Sequence, residues 1–493
     1  MKLSFLTGVA AAALIAGSAL AADAPLPNKK EPPAPPASWW DSVTIAGWVE
    51  GSTTINFAQP QNKINFGRLF DDRANWPNFN QAVLTVARPL DPKATGYDFG
   101  FKVQGMVGED ARYTHYLGEL DYAIHSRTQI AIIEAHALAH LPWISPISEG
   151  GVDLKIGQFV TPLGAEVITA PDNVFYSHSY IFNYGPFMHT GVLATDHVKS
   201  WLDVFAGVTT GENTSIGWPG DNQNSPSLVA GLTATLLDGN LVINAATHDG
   251  PENPKQLDPF LIGYPIGATF PGGPFPALTV GGTPVACGCN PTDTWRFLND
   301  INATWKATDK LTLILDGAYY HDNGSNAATF PLFGSIPGAL LGTALPAAFP
   351  TINTGLLPVR SRGVSGYGAA AYASYKLNDI FKASARLEIF RDNNNFFVGA
   401  FPGYFDNVNA QHGFNSPSVI VAGPQNTGTT YFSLTTGLTI TPPIPKIDYI
   451  SGVTLRPEVR WDKTLNGTTP FAGGTKRSTV TFGLDVIVPF TIK

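Results

Sequence analysis

The run Val453-Thr454-Leu455-Arg456-Pro457-Glu458-Val459-Arg460-Trp461-Asp462 decides the fold. Val453, Leu455, Val459 and Trp461 fall in one phase of a two-residue period, while Arg456, Glu458, Arg460 and Asp462 fall in the other. Successive side chains of a strand point to opposite faces, so this segment has one oily face and one charged face. Pro457 removes a ladder donor, which a strand tolerates near a rim or bulge.

The pattern recurs along the chain. Val43, Ile45, Val49, Ile55 and Phe57 oppose Thr44, Glu50, Ser52, Thr54 and Asn56; Tyr97, Phe99, Phe101 and Val103 oppose Asp98, Lys102 and Gln104. Val152, Leu154 and Ile156 oppose Asp153 and Lys155, and Val480, Phe482, Leu484, Val486 and Val488 oppose Thr479, Thr481 and Asp485. One face wants hydrocarbon and the other wants water. A soluble β-sandwich also alternates, so the period alone does not say which phase is inside.

Connection lengths discriminate. The segments predict about 16 strands, and the connections after odd-numbered strands are long, including 160–189, 250–293, 322–362 and 393–428. Those after even-numbered strands are mostly short: Asp196 to Lys199, Asp238-Gly239, Ala307 to Asp309 and Leu377-Asn378. Short turns on one rim and long loops on the other are what a single-chain outer-membrane barrel shows. Trp39, Trp40, Tyr97, Trp295, Trp305, Tyr319, Tyr375, Trp461 and Phe490 lie near strand ends, where belts at the two headgroup levels would place them. The fold class expected is all-β, a single closed transmembrane antiparallel β-barrel with long extracellular loops.

Composition agrees. In 493 residues there are 50 Gly and 40 Pro, with 44% apolar and only 14% charged residues. Disorder is excluded by the apolar and aromatic content, and so much Gly and Pro argues against a helical enzyme. The net charge of −8 and the lack of a basic run beyond Lys29-Lys30 argue against a nucleic-acid partner. Lys2, the apolar run Leu3 to Ala16 and Ala19-Leu20-Ala21 read as a secretory signal at 1–21, cleaved before Ala22. A Pro-rich periplasmic leader (22–42) and the barrel (43–493) follow. The mature chain has no run of about 18 apolar residues, so it can span a membrane only as a barrel.

Four segments carry a resemblance. They are Gly157-Gln158-Phe159 running to Gly164-Ala165-Glu166; Tyr176-Ser177-His178-Ser179-Tyr180 with Pro186 and His189-Thr190-Gly191; Arg386-Leu387-Glu388-Ile389-Phe390-Arg391-Asp392; and Leu455 to Asp462. In order and spacing they resemble the OmpL-like family of β-barrel porins. The resemblance implies a channel in the outer membrane of a Gram-negative bacterium rather than an enzyme. It carries with it outer-membrane lipids and the barrel-assembly machinery as partners, and a homotrimer by analogy with porins.

The charged phases nominate the lumen wall. Arg456, Glu458, Arg460 and Asp462 share one face, as do Lys382, Arg386 and Glu388; Glu134 and His136 share a phase, and Lys155 lies inward on its strand. Arg on the lipid face would cost about 2 to 4 kcal/mol at the midplane, so these rows mark the inside. They can sort solutes by charge or brace the wall as ion pairs. The segment 160–189 can fold inward and narrow the pore, with Glu166 and His178 as constriction lining. Ligand spacing for a metal is lacking, and no cofactor is implied. Cys287 and Cys289 read as a local disulfide in an oxidising compartment. The function expected is passive diffusion of small hydrophilic solutes or ions through a water-filled lumen; the alternative is a plugged barrel acting as a surface enzyme or adhesin. A soluble sugar-binding β-protein is a weaker option.

Overall fold

The alternating segments form sixteen antiparallel strands, each paired with its sequence neighbours, and the last closes on the first. They are β1 Thr44–Asn56, β2 Pro77–Arg88, β3 Asp98–Gly108, β4 Gln129–Leu141, β5 Val152–Val160, β6 Met188–Lys199, β7 Leu202–Thr209 and β8 Ser227–Leu236. The second half is β9 Leu241–Pro251, β10 Trp295–Lys306, β11 Leu311–Asp322, β12 Val364–Lys376, β13 Phe381–Asp392, β14 Thr429–Ile440, β15 Thr454–Thr464 and β16 Ser478–Thr491. The computed structural model describes residues 38–92, 94–116, 119–120, 127–216, 225–251, 295–323, 364–393, 397–400 and 428–492, with two small two-stranded ribbons between 269 and 284. The signal segment 1–21, most of the leader, Cys287 and Cys289 lie outside the described residues.

Closure runs through β1 and β16, from Ala46 opposite Thr491 to Asn56 opposite Thr481. It leaves no open edge, so backbone groups are satisfied within the sheet. Turns at 200–201, 237–240, 307–310 and 377–380 sit on one rim with the start of β1 and the end of β16; the long connections leave from the other. The turn at 237–240 is tight because Leu237, Asp238 and Gly239 all take positive φ. One boundary differs from expectation. Asp196 to Lys199 is not a turn: β6 continues through a bulge to Lys199 opposite Leu202, and the turn is Ser200-Trp201. The bulge lets His197 bond Asp203 Oδ1 at 2.8 Å and approach Asp153 Oδ2 at 3.2 Å. Pro457 falls where the β14–β15 ladder lapses between Gly437–Glu458 and Ile440–Leu455.

The oily phase faces out all round the ring, from Val49 on β1 through Val103, Ile156, Val208, Ile301 and Leu387 to Val459 on β15, each exposed. Such a continuous apolar band is unfavourable in water at about 25 cal/mol per Å² and favourable in hydrocarbon. Aromatics border it at both rims: Tyr97, Trp143, Trp201, Trp305 and Tyr375 on the turn side, and Phe57, Trp76, Trp295, Tyr319 and Tyr367 on the loop side.

The inside departs from a simple water-filled tube. Inward-facing Phe159, Leu193, Phe205, Leu298, Tyr320 and Phe390 pack with Leu163, Phe175, Tyr180, Ile181 and Tyr184 of the β5–β6 connection. A second cluster joins inward-facing Trp48, Val83, Met106, Ile133 and Ile487 to Leu69, Phe70, Tyr113, Ile168 and Phe182. Part of the lumen is thus a dry core, filled by the inward-folded connection together with portions of the β1–β2 and β3–β4 connections.

Candidate functional site

The segment 161–187 leaves β5 at the loop rim and enters the barrel. Gly164 takes φ +89°, a conformation that disfavours any side chain, and lets the backbone turn inward. A short helix, α1 Tyr180–Tyr184, is capped by Ser179, whose hydroxyl accepts from the Phe182 N–H at 3.1 Å. Within the lumen this backbone has no sheet to pair with, so its polar groups need partners from the wall.

The charged rows supply them. Glu458 accepts from the Tyr176 N–H at 3.0 Å and from the Ser177 N–H at 3.2 Å. Glu388 accepts from the Ile181 N–H at 3.2 Å. Arg386 donates to the Ser177 carbonyl at 2.7 Å, and Arg460 to the His178 carbonyl at 2.5 Å. Arg456 donates to the carbonyls of Ala170 at 2.8 Å and Asn173 at 2.7 Å while its other nitrogens grip Asp485 on β16. The wall side chains are spaced by two residues, so one strand presents a ladder of alternating donors and acceptors along the inserted backbone.

Ion pairs tie the ladder together. Arg386 Nη1 lies 2.7 Å from Glu166 Oε1, and Tyr372 donates to the same oxygen at 3.0 Å. The Ser179 N–H donates to Glu166 Oε2 at 2.7 Å, and His178 Nδ1 lies 3.4 Å from it. Asp462 receives Arg460 at 2.9 Å, Arg68 at 2.5 Å and the Tyr180 hydroxyl at 3.1 Å. Burial by itself would raise the Glu166 carboxyl; Arg386, His178 and the Ser179 N–H outweigh that and hold it below the ordinary carboxylate range. His178 is held between two rings, stacked on Phe182 at 4.2 Å and tilted against Phe70 at 4.6 Å.

The twelve nominated side chains therefore divide. Glu166, His178, Arg386, Glu388, Arg456, Glu458, Arg460 and Asp462 are all buried, Arg386, Arg460 and Asp462 completely. They are sealed beneath the inserted segment and joined by ion pairs. The other four are not part of this ladder. Lys102 bonds Glu134 at 2.5 Å with 29% of its side chain exposed, and His136 Nδ1 contacts the Gln158 carbonyl at 3.0 Å. Glu134 and His136 are themselves buried, whereas Lys155 and Lys382 are half-buried. Lys155 Nζ stands 5.7 Å from the Phe159 ring. On the segment itself, Val167, Pro171 and Asp172 remain exposed.

Several partners were not legible. Arg68 and Asp71 belong to the β1–β2 connection and meet at 2.7 Å. Tyr320, whose hydroxyl donates to the Ile181 carbonyl at 2.7 Å, looks like an ordinary strand aromatic. Asn213 accepts from the Phe187 and Met188 N–H groups from a separate loop. Only Asp485 carried a signal, as the acid in the polar phase of β16.

A family model, beta-barrel porin-2, OmpL-like, matches residues 42–490. No curated protein matches the chain by sequence. Among solved structures, the anion-selective porin from Comamonas acidovorans is similar, with 10% identity and a TM-score of 0.48 over 92% of this chain and 99% of that one. The outer membrane channel DcaP of Acinetobacter baumannii has 10% identity and a TM-score of 0.44 over 91% and 97%. A loop L8 deletion mutant of OmpT from Vibrio cholerae has 9% identity and a TM-score of 0.47 over 91% and 99%.

Proposed function

The chain belongs to the OmpL-like beta-barrel porin-2 family of outer-membrane barrels, and from that premise we propose that it lets small hydrophilic solutes diffuse passively beside the inserted segment. The observation that carries this reading is the polar turn-side half of the lumen, where Lys102, Lys155 and Lys382 keep contact with solvent. A barrel of 16 to 18 strands is wide enough to hold an aqueous path. In this reading 161–187 constricts the path, no cofactor or energy source takes part, and the protein is not an enzyme. Delivery by the barrel-assembly machinery and assembly as a homotrimer belong to the same proposal.

A second reading rests on the sealed charge rows. If 161–187 closes the lumen, the barrel is plugged and its exposed loops carry the activity. Purified protein in planar bilayers separates the two. Stepwise conductance from a folded, heat-modifiable barrel supports the channel. A folded barrel that conducts only after 164–183 is replaced by a short Gly-Ser linker supports the plug.

A further inference from the structure

The loop rim carries an uneven charge distribution. Arg391 on β13 and Lys463 on β15 occupy the outward phase at the ends of their strands, in register with Thr430 and Ser478. Lys476 and Arg477 follow immediately before β16, and Lys63 and Arg73 stand in the β1–β2 connection. Hydrogen bonds make these one arc. Arg391 donates to Thr430 Oγ1 at 3.2 Å, the Leu465 N–H to the Thr430 carbonyl at 2.9 Å, and the Thr464 N–H to the Arg477 carbonyl at 2.8 Å. The Phe57 N–H then donates to the Val480 carbonyl at 3.2 Å, and Ile64 bridges Arg73.

Lys63, Lys463, Lys476 and Arg477 are exposed and form no ion pair among the described residues. Among the described residues, Asp71, Asp72, Glu109, Asp392 and Asp462 of the same sector are buried. Two of the cations lie against exposed rings of the loop-side aromatic belt: Lys463 Nζ is 5.8 Å from the Trp461 ring and Arg73 Cζ is 4.6 Å from the Trp76 ring. Positive charge thus sits at headgroup height, immediately above the apolar band.

We propose that this arc binds a phosphorylated glycolipid of the outer leaflet, an acylated sugar headgroup bearing phosphates. Lysine and arginine pair with phosphate through charge-assisted hydrogen bonds. The band from Val459 and Val480 to Ile55 and Leu84 lies beneath for the acyl chains. A soluble anion would use the cations and leave that band without a role. The long loops mark this rim as the outer one. The inference needs the barrel to span the membrane and is independent of whether solutes pass through it.

The test uses delipidated full-length protein in detergent and native mass spectrometry, with bisphosphorylated lipid A, the same lipid stripped of phosphate, and inorganic phosphate as probes. The bisphosphorylated lipid should bind, and K463Q/R477Q should bind it roughly thirtyfold more weakly, two surface charges being lost. The charge-conserving K463R/R477K should retain it. Both side chains are exposed and neither joins the sealed ladder, so the folded gel band should match the parent. Equal binding of the dephosphorylated lipid, unchanged affinity in K463Q/R477Q, or displacement by millimolar inorganic phosphate would overturn the proposal.

Discussion

Arg386 on β13 and Glu166 on the inserted segment meet at 2.7 Å, the arginine fully sealed and the glutamate nearly so. The pair joins residues far apart in sequence and fixes the segment to the wall at the point where Tyr372 and the Ser179 N–H also converge on the carboxylate. Breaking a buried pair from one side leaves a charge without compensation. Glu166→Gln should therefore destabilise the barrel by about 3 to 5 kcal/mol. The urea midpoint of the heat-modifiable form measures this, and Glu166→Gln with Arg386→Met should cost less than the two single changes combined.

The pH dependence of the same pair has a definite sign. The Glu166 carboxyl is held below its ordinary value, so its stabilisation is present above the unfolded pKa of about 4.3 and is lost as pH falls through the folded value. Asp110, in the β3–β4 connection, is pushed up to about 7 by burial, so its cost appears as pH rises toward 7. Unfolding midpoints should decline on both the acid and the alkaline side of mildly acidic pH. Glu166→Gln should flatten the acid limb alone; an unaltered acid limb would remove the assignment.

Arg456 spans two elements, with Asp485 on one side and the Ala170 and Asn173 carbonyls on the other. A lysine has a single ammonium and cannot reproduce the fork. Arg456→Lys should cost about 2 to 4 kcal/mol and loosen the turn at 170–173. Protease protection of the segment in the folded protein reports this directly.

Charge selectivity should follow the solvated wall rather than the sealed ladder. Lys155→Glu and Lys382→Glu should move the reversal potential in a salt gradient toward cations. Arg460→Gln should act mainly by lowering stability, because its guanidinium reaches the His178 carbonyl and Asp462 and is fully buried. A larger selectivity change in Arg460→Gln than in the two lysine variants would contradict this division.

Leu315 faces outward at mid-strand on β11, opposite Ala303 and Ala371. Leu315→Arg should cost about 2 to 4 kcal/mol in a bilayer. Folding yield into vesicles measures it, and an unchanged yield would argue against lipid at this face.

The alternation at Leu455 to Asp462 separated two faces, and the parity of turns and loops, with the cost of Arg in lipid, placed the charged face inside a closed barrel. Strand registers confirm both, except at Asp196 to Lys199, where a bulge extends β6 because His197 gains two acidic partners. The candidate residues were legible as inward-facing and not as sealed. Arg456, Glu458, Arg460 and Asp462 have the same spacing whether they face water or a peptide backbone, and the partners they found are Ala170, Ser177, His178 and Arg68 from distant connections.

Local periodicity, loop parity and the cost of charge in lipid thus determined the barrel, its lipid face and the side on which charge would lie, since each is read from the chain segment by segment. Only the tertiary structure decided what fills the lumen. That depends on whether a connection can satisfy its own backbone groups inside the wall, and the answer lies in pairings such as Glu458 with the Ser177 N–H that no local pattern encodes.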